Sequence, residues 1–543
     1  MNAIAHIVTH IDDLPVGSLR MVRVGNRKVC LIRTSSGVHA LDSACPHEGY
    51  GLTQGSLDGT TLTCAWHNWK FDVTTGSCTL GEEDVRTHTV SIDAAGNVDV
   101  TLVEPSPIEV RRVLLTSLRS GIERNYIGQI ARDVVRLLRN DTNPGELIWE
   151  AVAYGVPRAE FGWGHAVASA TDCLSMVDDY DGDHRTLPIV QAIAGVAEEE
   201  RGRAVRHLPD PASDTSQVSR HAFLAMVEAE RVADAQAAVR AAIHSGRSAS
   251  ELRSWFTAAV SAHHLSYGHG AIYAQKAFEL LDMLGWDRAD TVLPHLVPTI
   301  VQGTREDTLP YARPFARALS GIDLPALANV TPTVGWHDDG SILSALLDSS
   351  DRTLALQTAH EALRQGAGVD AILDVVVDAV SHRMLRYDVA GEYDFTDDFG
   401  WLDITHGLTY ANAARWHHEH EGSTPDTIRL ALFTLFLAHW TGRHEWHAGI
   451  GQQSPVTLIS DDLAAAARHL RHESLLDRTS SFIVHAHGVK TSVAASREAL
   501  RRSTPLPLLA TTRFLQTPRL ERFVAANVQR SIEFVAGHQP RDE

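Results

Sequence analysis

Cysteine is scarce in this chain: five among 543 residues, at positions 30, 45, 64, 78 and 173. They are too few and too scattered for a disulfide framework. No run of 18 apolar residues occurs, so no helix is expected to span a bilayer. The opening MNAIAHIVTHIDDL lacks the basic stretch and apolar run of a signal peptide. Cations are in the minority, 48 Lys and Arg against 67 Asp and Glu. The resulting net charge of −19 argues against DNA, RNA or an anionic membrane as partner. These absences together describe a soluble, cytoplasmic protein in a reducing compartment. Its length allows several domains and a sizeable core.

Histidine, by contrast, is abundant, with 30 copies. Two of them stand in Cys45-Pro46-His47 and, sixteen residues later, Cys64-Ala65-Trp66-His67. Zinc also accepts two Cys and two His, but zinc fingers pair CxxC with HxxxH. Here each short motif contributes one Cys and one His. That set suits a [2Fe–2S] cluster in which two His replace two Cys on one iron. Gly49, Gly51, Gly55 and Gly59 supply tight turns around the motifs. The stretch ACPHEGYGLTQGSLDGTTLTCAWHNWKFDVTTGSC resembles a Rieske domain along its whole length. The extra cysteine pair of respiratory Rieske proteins is missing. The resemblance therefore implies the ferredoxin and oxygenase-component branch, with a lower potential.

Two unlike segments follow one another, giving a multidomain α and β chain. Residues 1–104 read as a small all-β domain. Short runs at 28–34, 38–41, 61–64 and 90–102 are rich in β-branched residues and separated by Gly, Asp and Ser. Ala94-Ala95-Gly96-Asn97 is a hairpin-turn candidate. Residues 105–109, with two prolines, form the linker. From 110 to 543 the apolar residues recur at three and four, as in a large all-α domain. Expected helices include 110–138, 190–207, 222–243, 271–284, 426–440 and 493–502.

A single context repeats within the helical segment: small residue, His, small residue, then a small residue five after the His. It occurs at Gly164-His165-Ala166, Gly268-His269-Gly270, Thr405-His406-Gly407 and Ala486-His487-Gly488. The first two copies also share a following Leu-Pro, at 187–188 and 293–294. That suggests an internal duplication with an offset near 104 residues. Small neighbours let helices approach, so that imidazoles from several helices can converge on one metal. Neutral imidazole suits iron, copper or zinc. Lys490 lies one helical turn after His487, and would need deprotonation or capture of CO₂ to act as a ligand. His263 and His264 precede the second copy, where one could stand behind a ligand. Tyr267, Tyr273 and Tyr410 lie beside these histidines. Asp403, three residues before His406, joins Lys490 and Tyr267 as a candidate catalytic residue. His417, His418 and His420 read as a polar helix end.

YGHGAIYAQKAFELL, WLDITHGLTYANAARW and VHAHGVKTSVAASREAL resemble the questin oxidase family of helical oxygenases. The resemblance implies a mononuclear non-haem Fe(II) held by four His and a carboxylated Lys. Those positions would be His165, His269, His406, His487 and Lys490, with His485 as an alternative to His487. It also implies O₂-dependent oxidation of an apolar, aromatic or polyketide-like small molecule. An external reductase would supply electrons through the Rieske cluster, and a homo-oligomer with transfer between subunits stays open. Two other function classes remain: a redox sensor with a non-catalytic helical module, and a helical metallohydrolase under redox control.

Overall fold

The computed structural model describes residues 6–520 except 215, 217, 395–398 and 452–454, with 528, 531, 532, 535 and 536 beyond them. The rest of the expected helical segment, to 543, lies outside the described residues. The chain divides into two compact units, Met1–Leu118 and Arg119–Glu543.

The first unit holds ten strands: β1 (His6–His10), β2 (Leu19–Val24), β3 (Arg27–Arg33), β4 (Val38–Asp42), β5 (Ser56–Asp58), β6 (Thr61–Thr63), β7 (Lys70–Asp72), β8 (Cys78–Leu80), β9 (Thr87–Ile92) and β10 (Asn97–Thr101). Six form an antiparallel sheet in the order β1-β10-β9-β4-β3-β2. β5 to β8 form a second antiparallel sheet in sequence order. A two-residue turn, Gly25-Asn26, closes β2 on β3, and Gly25 takes the positive φ such turns require. Val29, Cys30, Leu31 and Ile32 are all buried, so β3 is covered on both faces. β9 and β10 form the expected hairpin, whose turn is held by Asp93 Oδ1 accepting from the Ala95 and Asn97 amides. The three-residue strands β5, β7 and β8 are too short to show a period of two in the sequence.

Regular structure after β10 is helical among the described residues, and none of those helices is long and apolar enough to cross a membrane. The first helix begins at Pro107, inside the stretch expected as linker. Proline is tolerated there because its missing N–H would have no partner at a helix start. The expected helix 110–138 is two, Pro107–Glu123 and Ile127–Leu138, broken at Asn125 with φ 53°. Glu230, at φ 57°, likewise splits 222–243 into Arg220–Glu228 and Val232–His244. Neither break falls on Gly or Pro, so the apolar period runs on without a visible interruption.

Four helices of the second unit pack on one another in a closed cycle: His165–Met176, His269–Leu284, Trp401–Glu421 and Phe482–Arg502. Ion pairs tie the helices of this ring together, two between neighbours and one, Arg497–Glu279, across it. Lys276 Nζ lies 2.8 Å from Asp172 Oδ1, Arg497 Nη1 2.6 Å from Glu279 Oε1, and Arg415 Nε 3.1 Å from Glu498 Oε2. The first and last of these pairs are buried. Removing one partner of a buried pair leaves an uncompensated charge and costs about 3–5 kcal/mol.

His417 is not at a polar helix end. It is fully buried on the Trp401–Glu421 helix, where its Nε2–H donates to the Ala271 carbonyl and Nδ1 accepts from Thr257 Oγ1. Burial lowers it from an ordinary 6.5 to about 4, and His439 likewise. The unfolded chain therefore binds more protons than the folded one between pH 6.5 and 4. Stability should fall as the pH is lowered through that window. Urea midpoints measured across it should decline, and His417→Gln should flatten the decline.

Candidate metal centres

The first centre is built by two loops, one between β4 and β5 and the other between β6 and β7. They close in the same way. The Cys45 amide donates to the Tyr50 carbonyl and the Cys64 amide to the Trp69 carbonyl, both at 2.8 Å. Gly49 turns the first loop at φ 79° and Asn68 the second at φ 58°. Both cysteines are buried free thiols. His47 and His67 bring Nδ1 to within 3.1 Å of Nδ1, and Trp69 stacks on His47 with ring centroids 4.7 Å apart. Burial, with Cys64 nearby, pushes the Cys45 thiol up to about 12, so a thiolate there requires a cationic partner. Two sulfur and two nitrogen donors in that arrangement fit a [2Fe–2S] cluster.

The second centre lies in the helical ring. One nitrogen from each of His165, His269, His406 and His487 falls within 4.8 Å of the others. All four sequence candidates thus come together, and His485 does not join them. His165 and His269 each open a helix, while His406 and His487 are each the sixth residue of theirs. His406 Nε2 lies 2.9 Å from His269 Nε2 and 3.2 Å from His487 Nε2.

The partners of the other nitrogens decide what this means. His406 Nδ1 faces the Leu402 carbonyl and His487 Nδ1 the Ile483 carbonyl, four residues back on the same helix. A carbonyl only accepts, so both Nδ1 atoms carry hydrogen. The neutral rings then point lone pairs at each other across 3.2 Å. A proton could relieve this, but burial holds His406 down at about 3 and His165, His269 and His487 well below their ordinary value. A metal cation relieves it without protonation. Two nitrogens about 2.1 Å from one ion stand roughly 3 Å apart, the spacing seen. The donor set is compatible with mononuclear iron.

Small residues permit close packing at three of the four copies, but only at Gly268 is the neighbour another imidazole-bearing helix. A Cβ on Gly164 would meet the Glu199 carboxylate at 2.5 Å, on Gly268 the Tyr410 ring at 2.4 Å, and on Gly407 Val380 at 2.7 Å. Gly488 has room, with Leu515 at 3.4 Å. Lys490 is buried on the His487 helix with Nζ 5.5 Å from the Tyr273 ring centre. Burial lowers it to about 7, against the opposing pull of Asp172 and Glu199. The Tyr267 ring lies 5.5 Å from that of His406, and the Tyr273 ring 5.0 Å from His269. Burial pushes both phenols up. Asp403 Oδ2 accepts the Gly400 amide at the start of the His406 helix, and Oδ1 accepts from Arg443.

Two carboxylates escape a reading of the sequence. Glu199 accepts the His165 and Ala166 amides and so caps the His165 helix. Glu306, buried, accepts the Tyr267 amide at 3.2 Å and lies 2.9 Å from His264 Nε2. It clamps three consecutive left-handed residues, Ser266, Tyr267 and Gly268, that lead into His269. Neither carboxylate lies in a recognisable motif, because each acts through backbone N–H groups that any sequence supplies.

The fold and first centre define an iron–sulfur protein of the electron-carrying class. Residues 5–91 match the family model described as Rieske [2Fe-2S] domain, and through this unit the chain belongs to that family. It is 32% identical over 85 residues to the ferredoxin component of the naphthalene 1,2-dioxygenase/salicylate 5-hydroxylase systems of Ralstonia sp, covering 82% of that protein and 15% of this chain. It is 38% identical over 71 residues to the alkene monooxygenase ferredoxin component of Xanthobacter autotrophicus, covering 57% of that protein and 13% of this chain. The ferredoxin of carbazole 1,9a-dioxygenase from Nocardioides aromaticivorans is a similar solved structure, 25% identical with a TM-score of 0.18, covering all of that chain and 19% of this one.

Gly268→Ala tests the second centre. It adds a Cβ against the Tyr410 ring at a position of φ 88°. The expected cost is about 3 kcal/mol, read as a lowered melting temperature together with weakened metal binding by the helical unit.

Proposed function

We propose that the chain is an O₂-dependent oxidoreductase in which the Rieske unit supplies electrons to a mononuclear iron held by His165, His269, His406 and His487. One observation carries the reading: His406 and His487 tie Nδ1 to backbone carbonyls and face their Nε2 lone pairs 3.2 Å apart in a buried site. When bound, Fe(II) there would supply O₂ activation and the cluster its single electrons. The similarity of the sequence around His269, His406 and His487 to questin oxidases supports an oxygenase. The oxygenase-system ferredoxins related to the first unit support the electron-carrying half.

The protein's own task is to bind, orient and exclude water. The imidazoles present fixed donors from four packed helices, so the site needs little reorganisation. Lys490 adds CO₂ at its neutral amine and loses one proton, giving a carbamate whose oxygens join the imidazoles. Tyr267, kept protonated by burial, donates a hydrogen bond to substrate. Asp403 is a positioning residue that secures the start of the His406 helix. The substrate is a small apolar molecule, aromatic or polyketide-like, and an external reductase reloads the cluster.

Metal analysis of the full chain tests this. About three irons per chain are expected, two of them in the cluster. His406→Ala should leave about two, with the cluster's visible absorption and EPR signal unchanged. Two irons in the unmodified chain, or zinc in place of the third, would overturn the assignment. Lys490→Ala should weaken iron retention, and the mass of one bound CO₂ on Lys490 should disappear.

A further inference from the structure

Two of the four helices that carry imidazoles also build the walls of a cavity of about 360 Å³. Ala166, Ser169 and Cys173 of the His165 helix line one wall, and Phe482, Ala486 and Val489 of the His487 helix line another. The helix Thr186–Glu199 closes it through Ala194 and Gly195. The volume lies in the range of small-molecule pockets, and such pockets are mostly apolar with a few placed polar groups.

The polar groups here are specific. Asn125 and His485 both line the cavity, and Asn125 Oδ1 and His485 Nε2 are buried atoms without a hydrogen-bond partner. A buried polar atom left unmatched is costly, and a ligand or water normally meets it. An amide oxygen only accepts, so the ligand must bring a donor to Asn125. No Lys or Arg lines the cavity, while Glu198 and Asp477 stand exposed on its lining. Glu198 also accepts from Asn125 Nδ2. An anionic ligand would meet two carboxylates and no cation.

Gly195 sets the width of the space. A Cβ built on it meets only Ala166 Cβ, at 3.6 Å. It is a helical glycine without a left-handed φ, so no backbone constraint explains it. A larger side chain there would enter the cavity and would also suit the helix better.

We propose that this cavity binds a neutral, largely apolar molecule carrying a hydroxyl group, held by Asn125 and His485, and that Gly195 keeps it open. That this molecule is the substrate rests on the oxygenase reading given under the proposed function.

Calorimetry on the full chain with 2-naphthol and 2-naphthoate is the test, because binding itself needs no turnover. The naphthol should bind, the carboxylate at least about tenfold more weakly. Gly195→Leu should abolish naphthol binding while leaving melting temperature and iron content as they were. His485→Phe, which keeps a ring but removes the polar atom, should weaken naphthol by about tenfold. Equal naphthol affinity in Gly195→Leu and the unmodified chain would overturn the proposal, as would absence of naphthol binding or a preference for naphthoate. Iron content separates the two readings: an unmodified chain that binds naphthol but lacks the third iron retains the pocket and loses the oxygenase.

Discussion

The helical unit answers to one constraint above the others: four imidazole nitrogens lie within 4.8 Å of one another, where burial disfavours their protonation. Burial removes the water that would otherwise meet their lone pairs. The Leu402 and Ile483 carbonyls take the Nδ1 hydrogens, which fixes the tautomers and turns the Nε2 atoms inward. Gly268 lets the His269 helix close on the Tyr410 ring of the His406 helix, while Gly164 and Gly407 admit Glu199 and Val380 from outside the ring. The ion pairs Lys276–Asp172, Arg497–Glu279 and Arg415–Glu498 hold the ring shut. The inward-facing Nε2 lone pairs, 3.2 Å apart, are the feature that a cation at the centre would relieve.

The two centres solve opposite problems with similar ligands. In the β unit the cysteines are buried and the histidines lie near the surface, with about 41% of the His67 side chain exposed. An electron can enter or leave through such an edge. In the helical unit His406 and His487 are buried and His165 and His269 half-buried. That suits chemistry in which water would compete with substrate. The division of labour follows from burial as much as from ligand identity.

Much of this is legible in the chain. The Cys45-Pro46-His47 and Cys64-Ala65-Trp66-His67 spacing carries the cluster, because its ligands come from two short contiguous loops. The recurring small-His-small context carries the helical centre, and His165, placed by internal pattern alone, falls within the set. What escapes is set by tertiary structure. The helix breaks at Asn125 and Glu230 carry neither Gly nor Pro, and although Asn adopts positive φ more readily than most residues, Glu does not. His417 sits in a polar-looking run, yet its neighbours Thr257 and Ala271 come from distant helices. Glu199 and Glu306 act on backbone amides, and a glutamate doing so has no sequence signature. Pro107 reads as an interruption and instead opens a helix.

The order of the ligands along the chain has a consequence for biosynthesis. His165 leaves the ribosome 322 residues before His487, and His406 comes between them. No nascent fragment ending before the Phe482–Arg502 helix holds the full donor set. If these donors hold iron as proposed, its loading is thereby deferred until nearly the whole polypeptide has been made. A truncated translation product could assemble the electron-carrying unit yet would lack the complete set of imidazoles.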